Sequence, residues 1–376
     1  MKDQLQELLT KCVQDLISKG ILKEMPSKIR IDHTKENSHG DYATNIALML
    51  SKQAKMSPIE LAKIIIDQFE QKNFIKKIEI AGPGFINFFI SQESSSSIVN
   101  EILVQAASYG CSDIGQGKKV LLEYVSANPT GPLHVGHGRG AAYGATVSNL
   151  LRNAGFIVDN EYYVNDAGRQ MDILTVSIYL RYLTICGEDL RFPDNGYQGQ
   201  YINDIAQGIY ETSGQKFHLK SDLVFENVCR DGTEGGDKEV HIDQLIEKAK
   251  SILGDGFKAV FEVGIESILS GIKNDLAEFG VVFEKWFSEQ SLIDSGLSES
   301  CISKLKDSKN LYEKDGALWF KTTNYGDEKD RVVVRDNGNH TYFASDIAYH
   351  LEKLDRGYDK IINVWGADHH GYIPRV

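Results

Sequence analysis

Apolar positions in the first 110 residues switch between helical and strand-like spacing. Apolar side chains recur every three or four residues from Leu5 to Ile17, which predicts a helix, and Gly20 follows where a left-handed residue commonly ends one. Ser57 followed by proline predicts the start of another helix. Alternation over 77–80 and 85–90, around a Gly-Pro-Gly turn, predicts two paired strands. We expect a small α+β domain over residues 1–112.

From residue 113 the predicted order becomes strand, loop, helix, strand, helix. The apolar run 120–125 predicts a buried strand, and helices are predicted at about 138–153 and 167–183, on either side of a strand region at 156–164. Further strands are predicted at 317–321, 331–335 and 360–365. This order is typical of a Rossmann-like parallel sheet. We therefore expect an α/β catalytic domain over 113–376, with an insertion at about 187–300.

Composition narrows the class of protein. A net charge of −12 and a pI near 5.4 argue against a strongly basic nucleic-acid coat, although one basic face remains possible. The five cysteines are scattered and contain no C-x-x-C pair, which favours a reducing compartment such as the cytoplasm and argues against a zinc ribbon. No apolar run approaches the length of a membrane span. We expect a cytoplasmic protein with no membrane association and no protein-bound metal.

The loop after the strand at 120–125 carries the densest polar chemistry. Residues 123–137 read Glu-Tyr-Val-Ser-Ala-Asn-Pro-Thr-Gly-Pro-Leu-His-Val-Gly-His. A helix N-terminus attracts phosphate. His134 and His137 are three residues apart at such a start, so they share one face and can donate hydrogen bonds to charge that develops as pyrophosphate leaves. Gly136 would allow the backbone to approach a nucleotide closely.

Three other interpretations of this loop remain to be weighed. Two histidines three apart on a helix are often structural. A zinc site would need a third ligand, and none stands at a suitable spacing. Gly136-x-Gly138-x-x-Ala141, with Asp159 downstream, also fits a dinucleotide fingerprint. In that motif the first glycine follows its strand almost at once, whereas here a long proline-containing loop intervenes.

The same loop resembles a known family. His134-Val-Gly-His137 resembles the "HIGH" motif of class I aminoacyl-tRNA synthetases and related nucleotidyltransferases, and the longer stretch 123–137 is similar to arginyl-tRNA synthetases in particular. Five further stretches resemble that family in order: His39–Asn45, Ala81–Asn87, Tyr163–Gln170, Tyr342–Asp346 and Trp365–Tyr372. The resemblance covers nearly the whole chain.

The resemblance implies subsites for ATP and L-arginine. His134 and His137 are the expected catalytic residues. The expected ATP-binding residues are Ala127, Asn128, Pro129, Thr130, Gly131, Pro132, Leu133, His134, Val135, Gly136 and His137. The expected arginine-binding residues are Glu123, Asn128, Tyr342, Asp346 and His369. A guanidinium is a planar fork of donors that suits a carboxylate, so Asp346 is its expected partner. The alternative for Asp346 is an ordinary helix cap.

The resemblance also implies the reaction and its partners. The expected activity is that of an arginine–tRNA ligase, which forms arginyl-adenylate from L-arginine and ATP, with Mg²⁺ carried by the triphosphate, and transfers arginine to the 3′ end of its tRNA. Tyr42, Asn45 and Phe85 match stretches that contact tRNA in that family, although turn chemistry explains them equally well. A monomer is expected. The rivals are a synthetase-derived tRNA-binding or regulatory protein without catalysis and a small-molecule nucleotidyltransferase.

Two stretches depart from the family pattern. Lys55-Met-Ser57-Pro resembles the second class I motif, "KMSKS", but it precedes the histidine loop and is therefore not that motif. Some members without the second motif carry a compensating lysine just before the first one, and Gly131 stands there in this chain. We therefore expect residues 1–376 to be the N-terminal and catalytic portion, without the second-motif loop and anticodon-binding domain, and unable to charge tRNA alone.

Overall fold

A computed structural model describes residues 1–69 and 74–375. The chain divides into two compact units, residues 1–110 and residues 111–376, and the division is close to the boundary expected at residue 112. In the described part of the chain, no helix is both long enough and apolar enough to cross a membrane.

The first unit is a four-stranded antiparallel sheet with helices packed against it. Its elements are α1 (Lys2–Ser18), β1 (Asp32–His33), β2 (Tyr42–Thr44), α2 (Ile46–Ala54), α3 (Pro58–Asp67), β3 (Ile75–Ala81), β4 (Phe85–Ile90) and α4 (Gln92–Gln105). The strand order is β1-β2-β4-β3. The predicted start of α3 is confirmed, because Ser57 caps this helix in a reciprocal capping box with Glu60.

The stretch that resembles "KMSKS" lies in a helix–helix turn of this unit. Lys55 ends α2 with a left-handed backbone (φ 55°), and Ser57 caps α3. Residues of this kind are typical of a tight turn between two helices. The structure therefore accounts for Lys55 and Ser57 by local backbone geometry.

The second unit is built on a four-stranded sheet of parallel strands. Its elements are β5 (Lys119–Glu123), α5 (Val135–Asn153), β6 (Ile157–Val164), α6 (Arg169–Ile185), α7 (Gln200–Ser213), α8 (Ser221–Val224), α9 (Lys238–Leu253), α10 (Asp255–Glu278), β7 (Lys285–Ser288), α11 (Gln290–Asp294), α12 (Leu297–Asp307), β8 (Leu311–Lys314), β9 (Ala317–Phe320), β10 (Arg331–Val334), α13 (Tyr342–Asp355) and β11 (Lys360–Asn363). The order in the parallel sheet is β11-β5-β6-β7. The predicted parallel α/β fold is confirmed.

Two features of this unit differ from the sequence-based expectation. The sheet resumes at Lys285, inside the range predicted for the insertion, because β7 pairs in parallel with β6. This strand has only four residues, too few for a clear periodicity. The strands predicted near 317 and 331 lie outside the parallel sheet and pair antiparallel in a separate sheet of order β10-β9-β8.

The middle of α5 packs closely on the residue that follows β5. An added Cβ on Gly144, in the middle of α5, would lie 2.2 Å from ring atoms of Tyr124, a fully buried side chain just after β5. Only glycine, which has no Cβ, allows α5 to pack this closely against Tyr124.

We expect Gly144→Ala to destabilise the protein, although alanine normally favours a helix over glycine. Overpacking of this kind costs about 1–3 kcal/mol, more than the helix-propensity gain of about 1 kcal/mol. The measurement is the free energy of unfolding in urea. Gly140→Ala is a matched control, since a Cβ on this glycine of the same helix meets nothing within 4 Å. Equal stability of the two variants would contradict the packing argument.

Candidate active site

Polar side chains collect at the carboxyl edge of the parallel sheet. Glu123 ends β5 and Asn363 ends β11. Asp166 follows β6 after one residue, and Glu289 follows β7 directly. In open parallel sheets this edge is where ligands bind. The four strands therefore deliver three carboxylates and one amide to the same face of the unit.

The two histidines of the loop cap the helix that follows it. His134 is the N-cap of α5, and its Nδ1 accepts a hydrogen bond from the Gly136 N–H at 3.1 Å. The Nδ1 of His137 accepts from the N–H of His134 at 3.2 Å, which completes a reciprocal capping box. The two rings stack with centroids 3.8 Å apart. The predicted helix thus begins at Val135, three residues before the predicted Gly138.

The capping bonds determine which nitrogen of each ring can donate. A backbone N–H bonded to Nδ1 requires that nitrogen to be unprotonated, so in the neutral ring the proton is on Nε2. Burial, and the neighbouring His134, lower the pKa of His137. Each imidazole can therefore donate through Nε2–H beside the N-terminus of α5, where a phosphate would be attracted.

Gly136 is required by the ring of His134. An added Cβ at this position would lie 2.9 Å from Cε1 of His134 and 3.1 Å from its Nδ1. A side chain here would displace the capping ring. Gly136 therefore has a structural role, because it leaves room for the His134 ring. This role is in addition to the predicted one of letting a nucleotide approach the backbone.

The start of the loop is held in an unusual backbone conformation. Val125 and Ser126 both have positive φ, at 67° and 42°. The hydroxyl of Ser126 donates to Oε1 of Glu123 at 3.1 Å and accepts from the Tyr163 N–H at 3.1 Å. The carbonyl of Ala127 accepts from the Tyr162 hydroxyl at 2.9 Å. Left-handed β-branched residues are costly, and such strain is concentrated at functional sites.

The rest of the loop is fastened by side chains from α6 and α7 and from the loop after β6. Asn128 is exposed, donates to Gln170 at 2.9 Å and accepts from Asn165 at 3.1 Å. The Tyr201 hydroxyl donates to the carbonyl of Thr130 at 2.6 Å. The remaining predicted ATP-binding residues lie on this same segment: Gly131 and Leu133 are half-buried, Pro129 is buried, and Pro132 and Val135 are exposed. The structure therefore brings residues 127–137 together as one ordered loop.

Four carboxylates act electrostatically on one half-buried tyrosine beside this loop. Burial and the charges of Glu289, Asp346, Glu123 and Asp166 raise the pKa of Tyr163 far above its usual value. These carboxylates come from four separate segments of the chain. They form what we call the carboxylate cluster, a region of concentrated negative charge.

Glu289 is the most perturbed member of the carboxylate cluster. Its residue is 6% exposed, and burial together with the charges of Asp346 and Asp166 raises its pKa to about 7. The Tyr163 hydroxyl opposes this shift by hydrogen bonding to Glu289. Asp166 supports the turn that carries Glu289, because it accepts from the Ser288 hydroxyl at 2.6 Å and the Gln290 N–H at 2.9 Å. Such a site favours a cation.

Asp346 and Tyr342 lie where the sequence placed them, at i and i+4 near a helix start. Tyr342 is the first residue of α13, and its side chain is exposed. Asp346 is half-buried and accepts a hydrogen bond from the Tyr372 hydroxyl. The segment between them is helical. Thr341 is the N-cap, so the alternative role of Asp346 as a cap or first-turn carboxylate is wrong.

Glu123 is less accessible than its predicted role in arginine binding suggests. The residue is 7% exposed. Its Oε2 accepts from Tyr349 at 3.0 Å and from the ammonium of Lys353, and its Oε1 accepts from Ser126. The position at the carboxyl edge agrees with the prediction, but the carboxylate is already hydrogen-bonded within the protein.

His369 lies beside a cavity at the end of β11. It is exposed on a short 3-10 helix, with its ring 5.9 Å from that of Trp365. The cavity is about 470 Å³ and is lined by Asn363, Trp365, Gly366, Ala367, His369, His370 and Ile373. Aromatic and amide side chains of this kind suit a heterocyclic ring.

The predicted tRNA-contact residues lie in the first unit. Tyr42 on β2 is half-buried, and its ring lies against that of His33 in a tilted arrangement with centroids 4.4 Å apart. Phe85, 40% exposed, begins β4, and Asn45 follows the end of β2. Because Thr44 pairs with Ile86, Asn45 and Phe85 lie at the same end of the two strands.

Sequence reasoning missed Asp166 and Glu289 as candidate site residues. Both directly follow or nearly follow a strand of the parallel sheet, which is the position where a polar residue enters the ligand-binding edge. Asp166 stands inside the family-like stretch Tyr163–Gln170, and Glu289 follows a strand too short to be recognised.

A parallel sheet whose first strand leads to a histidine-capped helix, with a polar carboxyl edge, is the architecture of a class I aminoacyl-tRNA synthetase catalytic domain. The family model for the catalytic domain of class I (R) tRNA synthetases matches residues 98–376, and that for the arginyl tRNA synthetase N terminal domain matches residues 3–90. The chain belongs to the arginyl-tRNA synthetase family.

Known relatives agree with this assignment. The chain is 58% identical over 382 residues to an arginine–tRNA ligase of Vesicomyosocius okutanii and 54% identical over 384 residues to one of Hydrogenovibrio crunogenus, and it is covered completely in both comparisons. It spans 65% of the length of each relative. A solved structure from Campylobacter jejuni, assigned as an arginyl-tRNA synthetase, matches 76% of this chain and 56% of its own length, at 37% identity and a TM-score of 0.60.

Proposed function

We propose that the protein is an arginine–tRNA ligase. The carboxylate of L-arginine attacks the α-phosphorus of ATP, a new C–O–P linkage forms, and the bond to pyrophosphate breaks. The products are arginyl-adenylate and pyrophosphate. The terminal ribose hydroxyl of tRNA then attacks the arginyl carbonyl and releases AMP. Mg²⁺ enters as the complex with the triphosphate.

The carboxylate cluster is the observation that carries this proposal. Asp346, Glu289 and Asp166 place concentrated negative charge at one edge of the sheet, and burial raises the cost of that charge. A guanidinium offers a fixed fork of donors that can bond two carboxylates at once. Arginine is the one ordinary amino acid with this geometry. We assign the exposed Tyr342 side chain at the start of α13 to packing on the planar group, and Asn128 to bonding the polar end of the substrate.

The histidine pair is the feature that supports adenylate chemistry. Both Nε2–H groups are donors at a helix N-terminus, and hydrogen bonds to a phosphate strengthen as negative charge develops on it. A preorganised donor needs no reorientation during the reaction. We assign His134 and His137 to stabilisation of the departing pyrophosphate, the loop 127–137 to the triphosphate, and the cavity beside Trp365 and His369 to the base.

The direct test is arginine-dependent exchange of pyrophosphate into ATP, measured with tRNA present, on a form of the protein as long as its curated relatives. We expect exchange with arginine and none with lysine or citrulline. Lysine offers a point ammonium, and citrulline lacks the charge. Exchange that is equal for all three, or absent with arginine, would remove the proposal. Binding of tRNA without exchange would instead favour the non-catalytic rival.

The titration of Glu289 predicts a pH dependence of arginine affinity. Its pKa is raised to about 7 by burial and by Asp346 and Asp166, so below pH 7 it is mostly protonated. A bound guanidinium favours the charged form. We therefore expect arginine affinity to fall by up to tenfold per pH unit below about pH 7, with proton release on binding above the pKa of the complex. Calorimetry in buffers of different ionisation enthalpy measures both.

Glu289→Gln is the matching variant for this titration. It should lose the pH dependence together with most of the affinity. An acid whose pKa is raised on folding destabilises the fold above its unfolded pKa, so the variant should be more stable at pH 8 by up to about 3 kcal/mol, the equivalent of the shift from 4.5 to about 7. A flat pH profile in the wild type would show that Glu289 does not meet the substrate.

We also propose that the first unit contacts tRNA through the end of β2 and β4 that carries Asn45 and Phe85, with Tyr42 nearby. The support is the exposure of Phe85 at this end of the sheet, the position of Asn45 at the same end, and the family match of residues 3–90. We further propose a monomer in the cytoplasm, the compartment in which tRNA synthetases of this family normally act. Substitution of Phe85 by Ala should weaken tRNA binding and leave arginine affinity unchanged. Light scattering measures the molecular mass in solution and tests the proposed monomer.

A further inference from the structure

A buried lysine connects the ends of two strands at the candidate site. Lys353 lies on α13 and is fully buried, and its ammonium donates to Oε2 of Glu123 at the end of β5. The same ammonium donates to Oδ1 of Asn363, at the end of β11, at 2.8 Å. We propose that Lys353 is a positioning residue that sets the places of Glu123 and Asn363 in the arginine and nucleotide subsites. The inference rests on the proposed function.

The hydrogen bonds continue from Lys353 back to the helix that carries Asp346. The Nδ2 of Asn363 lies 3.4 Å from Nε2 of His350, and Nδ1 of His350 lies 2.8 Å from the carbonyl oxygen of Asp346. A carbonyl only accepts, so Nδ1 carries the proton and Nε2 accepts from the amide. The donor and acceptor roles are thus consistent from Glu123 to the backbone of Asp346.

This arrangement ties α13 to the ends of β5 and β11, two strands that pair with each other in the parallel sheet. Glu123 belongs to the strand that leads into the histidine loop, Asn363 lines the cavity beside Trp365, and Lys353 shares its helix with Asp346. A shift of α13 would move all three subsites together. Small displacements matter here, because a misplacement of about 1 Å can lower a rate about 10²-fold.

A role in stability alone does not account for a lysine at this position. The desolvation of a buried ion pair largely cancels its attraction, and apolar replacements of such pairs are often neutral or stabilising. Removal of one partner only leaves the other charge buried and unpaired. Stability and positioning must therefore be separated by measurements of both unfolding and catalysis.

The same helix offers a matched control. Arg356 follows α13, one turn after Lys353, and forms a second buried ion pair with Glu161, a fully buried residue of β6. The Tyr349 hydroxyl lies 2.7 Å from Glu161 and 3.0 Å from Glu123, so the two pairs are neighbours. Glu161 is the strand partner of Glu123 in the β5–β6 pairing, but Arg356 bonds Glu161 and Glu352, whereas Lys353 bonds Glu123 and Asn363.

The experiment compares Lys353→Met, Glu123→Gln, their double variant and Arg356→Met in a form of the protein as long as its curated relatives. We expect Lys353→Met to lower kcat/KM for arginine about 10²-fold at temperatures where circular dichroism shows a folded protein. Arg356→Met should lower Tm and should lower kcat/KM much less than Lys353→Met does, because Arg356 bonds Glu161 and Glu352 and not the two strand-end residues. The double variant should lose less activity than the product of the two single losses, because Lys353 acts in part through Glu123.

Three outcomes would overturn the inference: Lys353→Met with unchanged kcat/KM, additive effects in the double variant, or an equal loss in Arg356→Met. If Lys353→Met does not fold, Lys353→Arg keeps the charge but moves the donors, and we expect kcat/KM to fall about tenfold with Tm preserved. An unchanged kcat/KM in that variant would equally overturn it. A wild-type protein without arginine-dependent exchange would instead refute the proposed function.

Discussion

Asp346→Asn should lose about 10⁴-fold in kcat/KM for arginine, while the KM for ATP stays unchanged. Asn keeps the shape of the side chain but removes the charge and replaces one acceptor by a donor. A guanidinium has donors only, so the NH₂ group of the introduced asparagine would place a second donor against it in a half-buried site. Pyrophosphate exchange at varied arginine and ATP measures the two effects separately.

The helix itself should be indifferent to this substitution. Thr341 is the N-cap of α13, and Asp346 lies beyond its first turn, so no capping interaction is lost. Asp355→Asn is a matched control at the other end of the same helix, where the side chain is 67% exposed. If Asp346→Asn used arginine at a near wild-type rate, Asp346 would not bind the guanidinium, and that role would fall to Glu289 and Asp166 alone.

His134→Ala and His137→Ala should each lower adenylate formation about 10²–10³-fold, which corresponds to about 2.7–4 kcal/mol for the loss of one donor to a developing charge. Each variant also loses a capping bond, with a cost of about 0.5–2 kcal/mol in stability. The measurement is pyrophosphate exchange, with circular dichroism to show that the fold persists.

His134→Asn separates the two contributions. Asparagine is a good N-cap, so the free energy of unfolding should recover relative to His134→Ala. It has no group in place of Nε2–H, so exchange should stay low. His218→Ala is a control for the loss of a histidine elsewhere, because His218 pairs with Glu188 in the helical region after α6. Exchange near the wild-type rate in both alanine variants would exclude the proposed role of the pair.

Local signals in the sequence were sufficient for much of the fold. Ser57 and Gly20 predicted helix ends because caps and left-handed residues act over a few residues. The parallel sheet followed from the order of strands and helices. The start of α5 was placed too late, since histidine is an uncommon cap and its acceptor nitrogen is visible only in three dimensions.

The site was predictable where its residues are adjacent in sequence. His134, Gly136 and His137 form one loop, and their chemistry could be inferred from spacing. The carboxylate cluster could not be found in this way, because Glu123, Asp166, Glu289 and Asp346 come from four segments. Only the pairing of β5, β6 and β7 brings the first three to one edge. Glu289 was hidden further by the shortness of its strand.

The reciprocal cap at the start of α5 assigns the two nitrogens of each imidazole to different tasks. Nδ1 holds the backbone, and Nε2–H remains for chemistry. The hydrogen bonds that cap the helix therefore also orient the two Nε2–H donors. The donors take up their orientation when the helix forms. Mutational screens that select for thermal stability at His134 would accept serine, threonine, aspartate or asparagine. Each such accepted protein would be stable but would form the adenylate about 10²–10³-fold more slowly, so selection for stability and selection for catalysis would retain different residues at this position.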